Sequence, residues 1–511
     1  CHTGTVTHTP STQNHFTAVG EGITCERCHG PGAAHAEARA AGTRPRGADP
    51  TIVNPARLGR DARLALCQQC HLAGLTVFRP GEDPATYRPG QPLAAHRTVF
   101  VPVEELTDDE AVGIDSHPLR LARSACYQQS AMTCGTCHDP HRPADLLPGD
   151  HYNTACQSCH ASANHDGGLC ARPAASAAET ATGDCTGCHM RQGGTTNVPH
   201  VTFTDHWIRR RPGPPRDPGA GRPAFDRADP LRLVALQEDG RPAHVLAPRA
   251  THTAYGDLER AAAYWQLYET MHTRPAYLDS VRTAARRGLA GGADHVEARI
   301  ALARALAEID SVGAALRVLS EARHAFPRDP WVLFWLGAFH EARGDATAAA
   351  EALEQAVSIQ PRLIEAQKKL ADALLRAGRE EAALARLDTV LARDPVHQPR
   401  AWHNKGILHL RLGQPEAAAF AFTEAARLDP DLVDAHIQLG TLLLAQEAYE
   451  AAARRFYLAI VADPADPAGY GSLGMLFLQL GETERARHFL ERVLALDPGN
   501  PAAHALLDDL R

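Results

Sequence analysis

From Asp257 to the last residue, apolar side chains recur at the spacing of helices that bury one face. A longer interval is laid over that short one. Pro327, Pro361, Pro395, Pro430, Pro464 and Pro498 are separated by 34, 34, 35, 34 and 34 residues. Between prolines the same order of residues returns. A glycine sits in the first helical stretch (Gly337, Gly406, Gly440, Gly474). An alanine follows where two helices would cross (Ala349, Ala383, Ala418, Ala452, Ala486), and in two units a large apolar residue comes later (Phe422, Phe456). Small residues let helices approach, and large ones fill the gaps between stacked units. The pattern predicts six helix–turn–helix repeats, a degenerate helical pair before them, and a closing helix over Ala502–Arg511.

The first 211 residues read differently. Gly and Pro punctuate them, as in CHGPG and CHDPH, which predicts short helices and turns. Between the regions, RRRPGPPRDPGAGRPAFDRADP is too rich in Pro, Gly and Arg for a packed element and reads as a linker. The expected boundaries are therefore 1–211, a linker over 212–256, and a repeat array over 257–511. A 34-residue helix–turn–helix period is that of tetratricopeptide repeats. The fold class expected is mostly α, with a loop-rich first domain followed by an α-solenoid.

Cysteine usage sharpens the division, because all 13 cysteines precede His189. Five Cys-x-x-Cys pairs are each followed directly by His: Cys25, Cys28, His29; Cys67, Cys70, His71; Cys134, Cys137, His138; Cys156, Cys159, His160; and Cys185, Cys188, His189. Thiols so spaced can reach both vinyl groups of one porphyrin as thioethers, and the adjoining imidazole is then held at the iron as its proximal ligand. Zinc needs closed sets of four ligands and gives no reason for His to follow the second Cys every time; a disulfide scaffold gives none either. Five complete haem c sites are expected. Cys1 and His2 read as the end of a sixth, truncated one. Cys126 and Cys170 are left over, either as a disulfide or as two small buried thiols. So few aromatics cannot build a conventional core here, so porphyrins would supply much of the apolar interior.

Ten further histidines lie in this region: His8, His15, His35, His96, His117, His141, His151, His165, His200 and His206. Only Met132 and Met190 compete with them as sixth ligands. Iron held by two histidines keeps a low potential, whereas methionine ligation raises it.

The runs ITCERCHGPGAAH, SACYQQSAMTCGTCHDPH, YNTACQSCH and CTGCHMRQGGTTNVPHVTFTDHWIRR resemble multihaem cytochromes c of the hydroxylamine-oxidoreductase electron-acceptor type (cytochrome c-552/4-like), in the version fused to C-terminal tetratricopeptide repeats. The resemblance covers most of the first 211 residues. It implies distal ligands at His35, His141, His200 and His206, with His117 and His165 as weaker matches. His8, His15, His96 and His151 match nothing as firm. The family usually carries further haem motifs upstream of the first one here.

A formal charge of −8 and a pI near 6.4 argue against a nucleic-acid partner. No run approaches the length of apolar sequence that spans a bilayer. Covalent haem c is attached outside the cytoplasm, so a periplasmic or extracytoplasmic protein is expected, with an export signal either removed or lying outside this sequence. The leading functional expectation is a low-potential electron carrier whose repeat array docks a redox partner or another peptide or protein. The rivals are an oxidoreductase acting on a small nitrogen or sulfur compound at an open haem, and an assembly scaffold. The chain has no Lys-terminated haem motif of the kind some multihaem reductases use for catalysis, which favours the carrier. The histidines of the array, such as His340, His403, His409 and His436, come without cysteines and read as ordinary helix residues.

Overall fold

The computed structural model describes residues 6–8, 16–19, 22–83, 86–103, 106, 117–143, 146–160, 185–194, 202–210, 231–236, 253–270, 274–309 and 311–510. The protein is mostly α-helical and divides into two compact units, Cys1–Ser311 and Val312–Arg511.

The first unit has short helices: α1 (Glu26–His29), α2 (Ala33–Ala40), α3 (Arg60–Gln68), α4 (His117–Ala122), α5 (Ala125–Gln129), α6 (His151–His160) and α7 (Cys185–His189). Cysteines of the motifs lie on or beside α1, α3, α6 and α7, and the motif at Cys134 opens with a 3-10 turn over Cys134–Thr136. Among the described residues three small antiparallel sheets accompany these helices. Strand β1 (Val6–His8) pairs with β2 (Phe16–Val19), β3 (Leu75–Phe78) with β4 (Arg97–Pro102), β5 (Gln192–Gly194) with β6 (Thr202–Thr204), and β4 also with β7 (Leu233–Ala235). Sequence reading foresaw no strands. The runs LTVF, RTVFVP and LVA are β-branched or aromatic enough to pair once they meet, yet Phe100 and its partner Ala235 are far apart in the chain. Strand β7 also lies inside the segment read as a linker.

The three-stranded sheet is roofed by α8 (Ala254–Thr270) and α9 (Pro275–Ala290). Val77, Phe100, Leu231 and Leu233 share one buried cluster with Ala262, Ala263, Leu267 and Tyr277. Polar ties fix the roof: Gln266 Nε2 donates to the Thr76 carbonyl at 2.9 Å, and Thr98 Oγ1 donates to buried Glu259 at 2.9 Å. Helix α10 (Val296–Ile309) joins through Trp265, Leu278, Val281, Ala301 and Ala305. The helical pair that periodicity placed at the head of the array thus packs into the first unit's core, and that unit runs to Ser311. Around the motif-bearing helices the apolar contacts form small separate clusters, such as Leu64, Leu121, Ala122 and Tyr127.

The second unit runs from α11 (Val312–Ala325) through five helical pairs: α12 (Pro330–Ala342) with α13 (Ala346–Ile359), α14 (Ile364–Arg376) with α15 (Glu380–Arg393), α16 (Pro399–Arg411) with α17 (Pro415–Leu428), α18 (Val433–Ala445) with α19 (Tyr449–Ala462), and α20 (Pro467–Gln479) with α21 (Thr483–Leu496). It closes with α22 (Pro501–Asp508). Proline at the first turn and Asp or Asn caps start several of these helices; Asp329, for example, accepts from the Trp331 and Val332 amides. The glycines foreseen at close approaches lie where the paired helices touch. A Cβ on Gly406 would sit 2.5 Å from the Phe422 ring, and one on Gly440 would sit 2.3 Å from Phe456. Gly337 and Gly474 face Leu353 and Leu490 in the same way. The turns within pairs need a left-handed residue, supplied by Gly344, Gly378, Gly413 and Gly481; in the fourth of the five pairs Glu447 takes that conformation at φ 59°.

Candidate functional site

The chemistry of the cysteine motifs begins with one turn of helix. His29 N–H donates to the Cys25 carbonyl at 3.0 Å, His71 to Cys67 at 2.8 Å and His138 to Cys134 at 3.0 Å. The motifs at Cys156 and Cys185 lie within α6 and α7. Positions i, i+3 and i+4 share one helical face, so each turn presents two thiols and an imidazole to the same side. Among the described residues no cysteine is in a disulfide, Cys126 included. Cys1, His2, His15, His165, Cys170 and His200 lie outside the described residues. His8 ends strand β1.

Motifs distant in sequence come together. Cys67 donates to the sulfur of Cys134, which raises the first thiol and lowers the second. Burial and the neighbouring Cys185 push Cys156 up to about 11. Three motif imidazoles each face a histidine from outside the motifs at nearly one separation: His29 and His141 have ring centroids 6.0 Å apart, His71 and His117 6.1 Å, and His138 and His206 6.0 Å. His117 and His206 in turn stack on each other at 4.2 Å, with Phe203 against His117 at 4.6 Å.

Hydrogen bonds decide which nitrogen each ring offers. A carbonyl only accepts, so His29 Nδ1 donates to Val53 at 2.9 Å, His189 Nδ1 to Arg209 at 2.8 Å and His206 Nδ1 to Thr204 at 2.9 Å. Each ring then keeps an unprotonated Nε2 as a donor atom for a metal. His117 Nδ1 is buried without a hydrogen-bond partner. Burial, then the adjacent His206, presses His117 down to about 3, and burial likewise lowers His138 and His206, so these rings are neutral at neutral pH.

The other candidates sit differently. His35 Nδ1 meets Asp49 at 2.9 Å, and His96 Nδ1 meets Glu82 at 2.7 Å beneath Tyr87. His151 commits Nε2 to the Cys137 carbonyl at 3.0 Å. Among the described residues no three His, Cys, Asp or Glu side chains converge as a bare-ion site; the imidazoles run instead as the pair His29 and His141 and the series His71, His117, His206, His138.

Sequence reasoning missed what holds two of these rings. Arg120, one turn after His117, makes a two-pronged pair with Asp205, the residue before His206, at 2.9 and 2.6 Å, and both are buried. Arg123 and Arg209 lie over the faces of Trp207 at 3.7 and 3.8 Å. The signal was present in the run DHWIRR, but its partners are contributed by α4.

Models of the tetratricopeptide repeat match residues 300–363, 341–405, 399–432 and 443–510. The C-terminal helices are tetratricopeptide repeats. Such repeats bind peptide or protein partners or act as scaffolds. Solved structures similar to the array include residues 41 to the end of MamA from Desulfovibrio magneticus RS-1 (23% identity, 34% of this chain and 98% of that one, TM-score 0.32). Another is PilF of Pseudomonas aeruginosa (18% identity, 42% and 97%, TM-score 0.37). A third is YrrB, described as a tetratricopeptide protein with an unusual peptide-binding site (15% identity, 37% and 97%, TM-score 0.31). No curated protein matches the chain.

Proposed function

We propose that this protein is an extracytoplasmic, low-potential multihaem c-type electron carrier whose tetratricopeptide array docks a protein partner. The observation that carries the reading is the pairing of rings. With a metal–imidazole bond of about 2 Å and a ring nitrogen about 1 Å from its centroid, two imidazoles on opposite sides of one metal atom have centroids about 6 Å apart. Three motif histidines have such a neighbour, at 6.0, 6.1 and 6.0 Å.

On this reading Cys25 and Cys28, Cys67 and Cys70, Cys134 and Cys137, Cys156 and Cys159, and Cys185 and Cys188 hold five haems as thioethers. Cys1 and His2 belong to a sixth. His29, His71, His138, His160 and His189 are the proximal ligands. His141, His117 and His206 are the distal ligands of the first three sites, and His35, His165 and His200 remain candidates for the others. Haem c bound there supplies a reversible one-electron couple, and ligation by two histidines keeps its potential low. The protein's own part would be to fix His29, His189 and His206 by Nδ1–H bonds, to keep the buried His117, His138 and His206 neutral, and to offer two histidines at each of three sites, which would leave no open position there for a substrate. That last point favours a carrier over an oxidoreductase.

The test is intact mass together with electron paramagnetic resonance, on protein matured in a host with c-haem machinery. At least five haem additions are expected, all low-spin at the first three sites. Replacing His117, His141 or His206 by Ala should each convert one haem to high spin with the thioethers intact. Unmodified thiols, or three variants with unchanged low-spin spectra, would overturn the reading. A high-spin signal in the native protein that responds to nitrite or hydroxylamine would favour the oxidoreductase.

A further inference from the structure

Three buried donors without acceptors gather at the second cysteine motif. Gln68, inside that motif, is 1% exposed and its Nε2 has no hydrogen-bond partner. Tyr87 is 7% exposed and its hydroxyl has none. Arg97 spends Nη2 on the Gln68 carbonyl at 2.7 Å, while its buried Nε is also unmatched. The three form one neighbourhood. Tyr87 packs with Ala65 and Leu66 of α3, just before Cys67, and Arg97 is close enough for its charge to act on Cys70 and Tyr87.

An unmatched buried donor costs about 1–3 kcal/mol, and a guanidinium out of water demands a counter-charge as well. Among the described residues no carboxylate acts on Arg97; burial lowers it to about 10, and burial lifts Tyr87 to about 12. The acceptor missing from this neighbourhood must therefore be anionic and must carry more than one lone pair. A carboxylate meets that need, and a planar guanidinium beside a hydroxyl and an amide is well suited to bind one.

We infer that Arg97, Tyr87 and Gln68 form a carboxylate seat that takes a propionate side chain of the haem attached at Cys67 and Cys70, making Arg97 a residue that sets that haem's potential. The inference rests on the haem reading above. A cation beside the porphyrin favours the reduced state, so its removal lowers the midpoint potential of this one haem and leaves the others in place.

The experiment compares the mature native protein with Arg97→Gln, Arg97→Lys and Tyr87→Phe. Peptide mass spectrometry over Cys67–His71 comes first, and absence of haem there defeats the underlying reading. With haem present, Arg97→Gln should reduce the one-electron reduction constant of one haem by about tenfold, which is about 59 mV. Arg97→Lys should lose less. Tyr87→Phe, which keeps ring and volume and so keeps the fold, should shift the propionate bending band in the resonance Raman spectrum. A haem content equal to native with an unmoved potential and an unmoved propionate band overturns the seat, as does a shift spread equally over all haems.

Discussion

Changing Asp205 to Asn tests how the rings of His117 and His206, proposed above as distal ligands, are held. The Asp205 carboxylate takes both prongs of Arg120 at 2.9 and 2.6 Å, a third contact from Arg209 at 3.3 Å, and the Trp207 amide at 3.0 Å. Asp205 is 0% exposed and Arg120 2%, so solvent does not screen the pair. Removing one partner of a buried ion pair costs about 3–5 kcal/mol, because the other charge is left without compensation. Asn still offers one acceptor, so a loss near about 3 kcal/mol is expected, a large part of an ordinary domain's about 5–15 kcal/mol. Urea melting followed by circular dichroism reads that loss. Spin state reads its local effect, since Arg120 shares α4 with His117, and Asp205 precedes His206. Replacing both partners, Arg120→Met with Asp205→Leu, should restore much of the stability, because no charge is then stranded. The pair also has a pH signature. Burial pushes the Asp205 carboxyl up, but the Arg120 hydrogen bond and charge outweigh burial and hold it below the usual range. Its contribution is therefore complete above the unfolded value of about 3.9 and is lost as pH falls through the lower folded value. Asp205→Asn should flatten acid unfolding in that window. A single variant within about 1 kcal/mol of native, with unchanged spectra, would refute the reasoning.

Two further outcomes follow from the second unit and the packing at its edge. Gly440→Ala would place a methyl 2.3 Å from Phe456, so about 1–3 kcal/mol of overpacking should exceed the gain of about 1 kcal/mol in helix propensity, with relief by Phe456→Leu; a stabilised Gly440→Ala in thermal melts would sink this. The fragment 312–511 should fold cooperatively without haem, whereas one starting at 257 should carry an exposed apolar face from Leu267 and Tyr277 and associate on gel filtration; equal behaviour of the two fragments would count against the packing described.

The array was legible because its information is local and repeated. Each proline, each glycine at a crossing and each later Phe or Leu acts within a few turns of helix, so the interval alone located the pairs. The cysteine motifs were legible for a similar reason, since a thiol pair and its histidine fit on one turn. What escaped depended on residues distant in sequence. Leu75–Phe78, Arg97–Pro102 and Leu233–Ala235 are too short to announce a sheet, and their pairing is chosen only when α8 and α9 cover them. The latter two helices have the rhythm of a repeat, but Tyr277 and Leu267 pack on strands. Likewise the sequence nominated His117, His141 and His206 but said nothing of which motif ring each would face, and nothing in DHWIRR disclosed that its Asp205 would meet Arg120.

The closure of the three-stranded sheet also sets an order in time. Strand β4 gains its second neighbour only when Leu233–Ala235 arrives, and the apolar face waits longer still, for α8 and α9. Synthesis proceeds from the N-terminal side, so all five Cys-x-x-Cys-His turns are presented before that strand emerges. Long-range pairing is slow as well as late. The thiols therefore have an interval in which they are displayed on a chain that cannot yet close around them, and on the proposed haem reading a ligase attaching the group would have its opportunity then. Slowing the arrival of residues 233–290 would lengthen that interval, and bringing them earlier by circular permutation would shorten it.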